Sequence, residues 1–277
     1  MRRAAFPGVP GTESVRGGVL QLLECGGIAR RSVSGHAYGT VSAVFRRSCY
    51  VEFSDRRTIC LGDSALGRGP LNARVERFEA PRLGEALVLS AERAILWQPS
   101  TRRGPPQRAA LDALRAAAVE RIPSEGLGAL VCGGSNALIE HARPALATLE
   151  HWLAGGRLDG SAGMLLGLGP GLTPSGDDYL GGLLIGLRVF GRATDADALW
   201  AWLGAQSLTL TSLISAAHLA AAAEGEAHES LHACLDALGE GSVSAWPERL
   251  DWLGSVGHCS GWDGLAGVLA MADQVAV

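Results

Sequence analysis

At 277 residues, 47% of them hydrophobic, the chain is long enough to bury one large core or two ordinary ones, and its net charge of -4 offers no basic stripe for nucleic acid or an acidic membrane. With 38 glycines and only 5% aromatic residues, the interior must be built from small aliphatic side chains packed close around the backbone. Lysine is absent and arginine carries all the positive charge, which excludes both a P-loop lysine and a Schiff-base lysine.

The stretch 1–10 has basic residues but no apolar h-region, and no segment approaches the roughly 18 apolar residues of a membrane span, so a cytoplasmic protein with no membrane partner is expected. From 19 to 97, short apolar runs at 41–45, 49–53, 58–61 and 86–89 alternate with turn signals at 54–57 and 66–70. That spacing predicts a β-rich N-terminal domain over 1–98, a small barrel or a sandwich. A polar, proline-containing stretch predicts a linker at 99–107. Beyond it the apolar period becomes helical, at 109–121, 136–153, 175–190, 195–203, 207–224, 229–238 and 261–275. The fold class is therefore α+β, with a mostly α-helical domain over 108–277. The six cysteines form no C-x-x-C pair and have no histidine at zinc spacing, so they read as reduced, mostly buried thiols and no metal is assigned.

Two stretches read nearly alike: Ser175-Gly176-Asp177-Asp178 and Ser260-Gly261-Trp262-Asp263, each followed by an apolar run with glycines in register. Ser-x-x-Asp is a capping box, which predicts a helix start at each copy, with Asp178 and Asp263 reaching back to the cap. The first copy follows Gly167-Leu168-Gly169-Pro170-Gly171-Leu172-Thr173-Pro174, a glycine-spaced loop feeding a helix N-terminus. Such a loop is a candidate anion site, and Gly169, Gly171, Thr173, Ser175 and Gly176 are its expected donors, with Ser260, Gly261 and Asp263 from the second copy. It lacks both the Gly-Lys-Ser/Thr ending and a G-x-G-x-x-G, so neither usual nucleotide signature applies.

The adjacent carboxylates Asp177 and Asp178 would repel a bare anion at the positive end of the helix dipole unless they point aside, hold Mg²⁺, or accept from an amide of the ligand. A carboxamide-bearing anion satisfies both demands. If Asp178 caps the helix, Asp177 remains to contact the ligand. His258, beside the second helix start, is disfavoured as a cation there and is the candidate acid/base. Cys259 is read as structural. His228 and His232, four apart, read as one solvated helix face. Thr209, Thr211, Ser212 and Ser215 line the pocket or cap a helix, while Gly182 and Gly186 permit close helix contact.

The glycine-rich motif, together with Gly257-His258-x-Ser260-Gly261-Trp262-Asp263, resembles the AllH-like family. Weaker similarities lie at Val44-Phe45 and Gly69-Pro70-Leu71-Asn72, and Cys259 stands where the family more often has serine. The resemblance implies a subunit of oxamate carbamoyltransferase, acting with other subunits in purine and allantoin nitrogen breakdown to convert oxalurate and phosphate into oxamate and carbamoyl phosphate. On that reading Gly169, Gly171, Thr173 and Ser175 bind the anion, Asp177 orients an amide or Mg²⁺, and His258 moves protons. The alternative is a noncatalytic scaffolding subunit that binds a small carboxylate or amide.

Overall fold

The structure is a computed structural model and describes residues 18–100, 104–244 and 246–277. The stretch 1–10 and positions 101–103 of the expected linker lie outside the described residues.

Among the described residues the chain forms β1 (Leu20–Gln21), β2 (Glu24–Gly26), α1 (Gly27–Ser32), β3 (His36–Val44), β4 (Ser48–Phe53), β5 (Thr58–Gly62), β6 (Asn72–Arg74), β7 (Ala86–Ser90) and β8 (Ile95–Trp97). These strands make a single sheet in the order β1-β7-β3-β4-β5-β6-β2-β8. The continuous segment 20–26 pairs with β7 at its start and with β6 at its end, so the sheet curls back on itself instead of splitting into a sandwich. Leu22, Val41, Val51, Ile59, Leu61 and Leu89 fill its interior. In β4 the period-two alternation sends Cys49, Val51 and Phe53 inward. Ser48 and Tyr50 are left on the face that looks toward the helices.

The helical part comprises α2 (Arg108–Ala118), α3 (Ala137–Leu153), α4 (Ser175–Val189), α5 (Ala193–Leu210), α6 (Leu213–Ala223), α7 (Glu229–Glu240), α8 (Trp246–Gly254) and α9 (Ser260–Val275), with 3₁₀ turns at Gly128–Cys132 and Gly160–Leu165. The expected helix at 207–224 is in fact two helices. Ser212 adopts an extended conformation (φ -68, ψ 154) and its hydroxyl accepts from the Ser215 N–H at 3.0 Å, which ends one helix and caps the next. Helix α8 was not expected; Trp246, Leu250 and Leu253 bury its inner stripe.

Helices α4 and α9 are buried on nearly every side, as central helices of a core must be. Their contacts advance in the same direction along both: Asp178 and Gly182 lie beside Gly264, Gly186 beside Val268 and Met271. The two helices therefore run parallel with both N-termini at one end. A Cβ on Gly182 would stand 1.9 Å from the Gly264 carbonyl oxygen, and one on Gly267 would stand 1.9 Å from the Tyr179 carbonyl oxygen. Gly182 and Gly267 are equivalent positions of the two motif copies, as are Tyr179 and Gly264. The packing is thus reciprocal, an approximate twofold relation between the copies.

Sheet and helices are joined at α7. The Arg68 N–H donates to Glu229 Oε1 at 2.7 Å, and the Glu229 N–H returns a bond to the Arg68 carbonyl at 2.9 Å. Glu24 bridges Arg68 (2.7 Å) and Arg74 (2.9 Å) alongside. This junction sets the sheet opposite the N-terminal ends of α4 and α9.

Candidate active site

Between sheet and helices lies a cleft of about 1340 Å³, walled by Arg47, Tyr50 and Asn72 on the strand side and by both motif helix starts on the other. Gly171, Thr173, Ser175, Asp177, Asp178, His258, Ser260, Gly261 and Asp263 all line it.

The motif copies do not form capping boxes. Pro174 occupies the cap position of α4 and Cys259 that of α9, so each serine falls inside the first turn and makes no cap bond. The serines turn across the helix pair instead: Ser260 Oγ lies 3.0 Å from Thr173 Oγ1 and its hydroxyl faces Asp178, while Ser175 faces Asp263. Each serine thus serves the aspartate of the other copy.

Part of the expected amide cradle is occupied by the chain itself. The Gly176 N–H donates to the Leu168 carbonyl at 2.9 Å, and those of Asp177 and Asp178 donate to the Pro174 carbonyl at 2.9 and 3.1 Å. In α9 the Gly261 and Asp263 N–H groups are likewise taken, by the carbonyls of Val256 and Cys259. Carbonyls of the chain thus take the Gly176 and Gly261 donors of the expected set. Gly169 and Gly171 have φ values of +114 and +95, a path that glycine takes without strain, and they shape the loop around Ser175.

The two adjacent aspartates are hydrogen-bonded the opposite way to the expectation. Asp177 is buried: Oδ1 accepts from the Gly167 N–H at 2.8 Å, and Oδ2 accepts from Ser215 Oγ at 2.7 Å and from Thr211 Oγ1. It clamps the glycine loop to the α5–α6 junction, with Ser212 adding a bond to the Leu172 carbonyl. The hydroxyl stripe at 211–215 therefore holds the loop. Asp178, by contrast, leaves Oδ2 buried with no hydrogen-bond partner, and so does Asp263. Two unpartnered carboxyl oxygens, one from each copy, sit in the wall of one cleft.

Their electrostatics follow from this placement. Burial pushes the Asp178 carboxyl well above the ordinary aspartate range, the charges of Asp263 and Asp177 add to the rise, and the Ser260 and Thr173 hydroxyls oppose it. Burial raises Asp263 to about 6, although Ser175 and the N–H groups of Leu127 and Gly128 favour its ionised form. The Leu127 N–H lies 2.6 Å from Asp263 Oδ1. Because the Asp263 carboxyl binds its proton more tightly when folded, the stability this provides is present below pH ~4 and is lost as pH rises through about 6, roughly 3 kcal/mol for a shift of about two units. Asp263→Asn, which keeps an acceptor for Leu127, should flatten that loss. Urea midpoints at about pH 5 and pH 8 should differ less for the variant than for the parent; equal differences would refute the assignment.

On the strand side, Tyr50 Oη lies 3.3 Å from His218 Nε2. Burial lowers His218 to about 4, so its imidazole is neutral, and raises the Tyr50 phenol. His228 and His232 do not share a solvated face: His228 caps α7, accepting from the Ser230 N–H, and buried His232 accepts from the Ala227 N–H at 3.0 Å. Burial also raises Glu226, whose Oε2 is unpartnered at the cleft. Arg74 is paired with Glu24, whereas Arg47 has no ion-pair partner among the described residues. His258 stands exposed at the rim, its Nε2 3.2 Å from Glu125 Oε2.

Tyr50, His218, Arg47 and Glu125 carry no motif, and only the fold brings them to the cleft. Among the described residues no helix is long and apolar enough to cross a membrane.

The family model described as oxamate carbamoyltransferase subunit AllH matches residues 165–272, from the glycine loop through most of α9. The sheet, with its weaker similarities, lies outside the matched residues. No curated protein and no solved structure matches the chain.

Proposed function

We propose, from the AllH match over 165–272 and the cleft it encloses, that the chain is a subunit of a carbamoyl-transferring enzyme of the oxamate carbamoyltransferase type, serving purine and allantoin nitrogen breakdown. The observation that carries this reading is the pair of buried, unpartnered carboxyl oxygens of Asp178 and Asp263. Unsatisfied buried acceptors are costly and rare, and a ligand that offers N–H groups removes the cost.

A carboxyl kept neutral by burial matches a carbamoyl group edge to edge: its O–H donates to the carbamoyl oxygen and its C=O accepts from the N–H₂. Asp178 takes that role, and Asp263 accepts a second ligand N–H. When a phosphate oxygen attacks the carbamoyl carbon of oxalurate, negative charge gathers on the carbamoyl oxygen, where the Asp178 proton meets it. Collapse breaks the C–N bond, the departing nitrogen takes the proton that hydrogen phosphate gives up, and oxamate and carbamoyl phosphate are released. Keeping Asp178 neutral also spares phosphate the repulsion of a carboxylate. Arg47, across the cleft, is available for the carboxylate of oxalurate. In this reading the β-rich domain over 1–98 closes the cleft against the α-helical domain over 108–277, and other subunits complete the site.

The test is phosphate-dependent formation of carbamoyl phosphate from oxalurate by the partner subunits, with and without this chain. Activity that requires the chain supports the reading; equal activity without it contradicts the assignment.

A further inference from the structure

The mouth of the cleft carries a donor set that the reading above does not use. Glu125, His258 and Cys259 each offer a ligating atom there, and these atoms all lie within 4.8 Å of one another. The carboxylate and imidazole members are already 3.2 Å apart. We propose that Glu125, His258 and Cys259 form a site for a tetrahedral divalent transition-metal ion such as Zn²⁺ at the mouth of the cleft.

Carboxylate oxygen, imidazole nitrogen and thiolate sulfur together select a borderline-soft ion over Mg²⁺ or Ca²⁺. Two different loops deliver the donors, and the fold holds both in place. Asp263 Oδ1 accepts from the Leu127 N–H at 2.6 Å, which ties the loop bearing Glu125 to the start of α9. His258 and Cys259 directly precede that helix.

A second observation points to a cation. Asp263 Oδ2 is buried without a partner, in a side chain that is 1% exposed, and it lies one helical turn from Cys259. Burial holds the Cys259 thiol protonated, raising it to about 11, and the nearby Asp263 and Glu125 carboxylates add to the rise. Binding would exchange the thiol proton, released to solvent, for a sulfur–metal bond. Three protein donors leave a fourth position, on the side of the cleft, for water or for an oxygen of the ligand.

The experiment titrates the isolated chain with Co²⁺ and follows the near-ultraviolet sulfur-to-cobalt charge-transfer absorption, with Zn²⁺ competing. It needs neither partner subunits nor oxalurate, so its failure leaves the carbamoyl-transfer reading untouched. The expected result is a band that saturates at one equivalent. The band should be absent in Cys259→Ser and retained in Cys132→Ser, which removes an exposed thiol elsewhere. Glu125→Gln, a surface change that leaves folding intact, should weaken Zn²⁺ binding by at least about tenfold. No band in the parent, a band that survives Cys259→Ser, or an unchanged Zn²⁺ affinity in Glu125→Gln would each overturn the site.

Discussion

Asp178→Ala should lower carbamoyl phosphate formation by the reconstituted enzyme by about 10²–10³-fold, the loss that follows removal of one preorganised donor to a developing oxyanion. Asp178→Asn should retain much more activity, because its amide still offers one donor and one acceptor in the same place. What the asparagine variant should lose is the alkaline limb of the pH profile due to ionisation of the Asp178 carboxyl, whose pKa burial pushes upward. Comparing kcat against pH for parent, Asn and Ala variants separates a neutral-carboxyl role from a charged one. An alanine variant as active as the parent would remove Asp178 from the chemistry altogether.

The second large effect is on stability. Gly182→Ala and Gly267→Ala each place a methyl 1.9 Å from a carbonyl oxygen of the facing helix. Alanine in place of a helical glycine gains about 1 kcal/mol of propensity. A clash with backbone cannot be relieved by a rotamer change, so α4 and α9 must separate, and each substitution should cost a net ~3 kcal/mol or more. Gly160→Ala, where a Cβ meets nothing within 4 Å, serves as the control and should stay within about 0.5 kcal/mol. Urea midpoints for the three variants give the comparison directly. An unaltered midpoint in Gly182→Ala would contradict the described helix pairing.

Much of this architecture is legible in the residues. Turn-bounded apolar runs mark β3, β4, β5 and β7, because strand alternation and turn chemistry are local properties. The short strands β1, β2, β6 and β8 exist only through pairing with distant partners, and no local signal announces them. The split between α5 and α6 rests on two residues, Thr211 and Ser212, in an extended conformation inside an otherwise helical run.

The duplicated Ser-Gly-x-Asp pattern correctly marks two helix starts and misleads about their side chains. A capping box is a local inference, and Pro174 and Cys259 take the cap positions that it requires. With the caps filled, the serines face the opposite helix, an arrangement legible only once α4 and α9 are known to run in parallel. The same tertiary fact reverses Asp177 and Asp178. Thr211 and Ser215, more than thirty residues away, claim Asp177, while Asp178 keeps an oxygen without a partner. Tyr50 and His218 meet across the sheet–helix junction and have no sequence signature at all.

The most direct test of the site is a ¹³C NMR titration of the aspartate carboxyl carbons, with and without oxalurate, in the parent and in Asp178→Asn. The account predicts a resonance, missing from the variant, that stays protonated well beyond the ordinary aspartate range and shifts when oxalurate is added. A resonance for Asp178 that titrates near pH ~4 and is unmoved by oxalurate would contradict it.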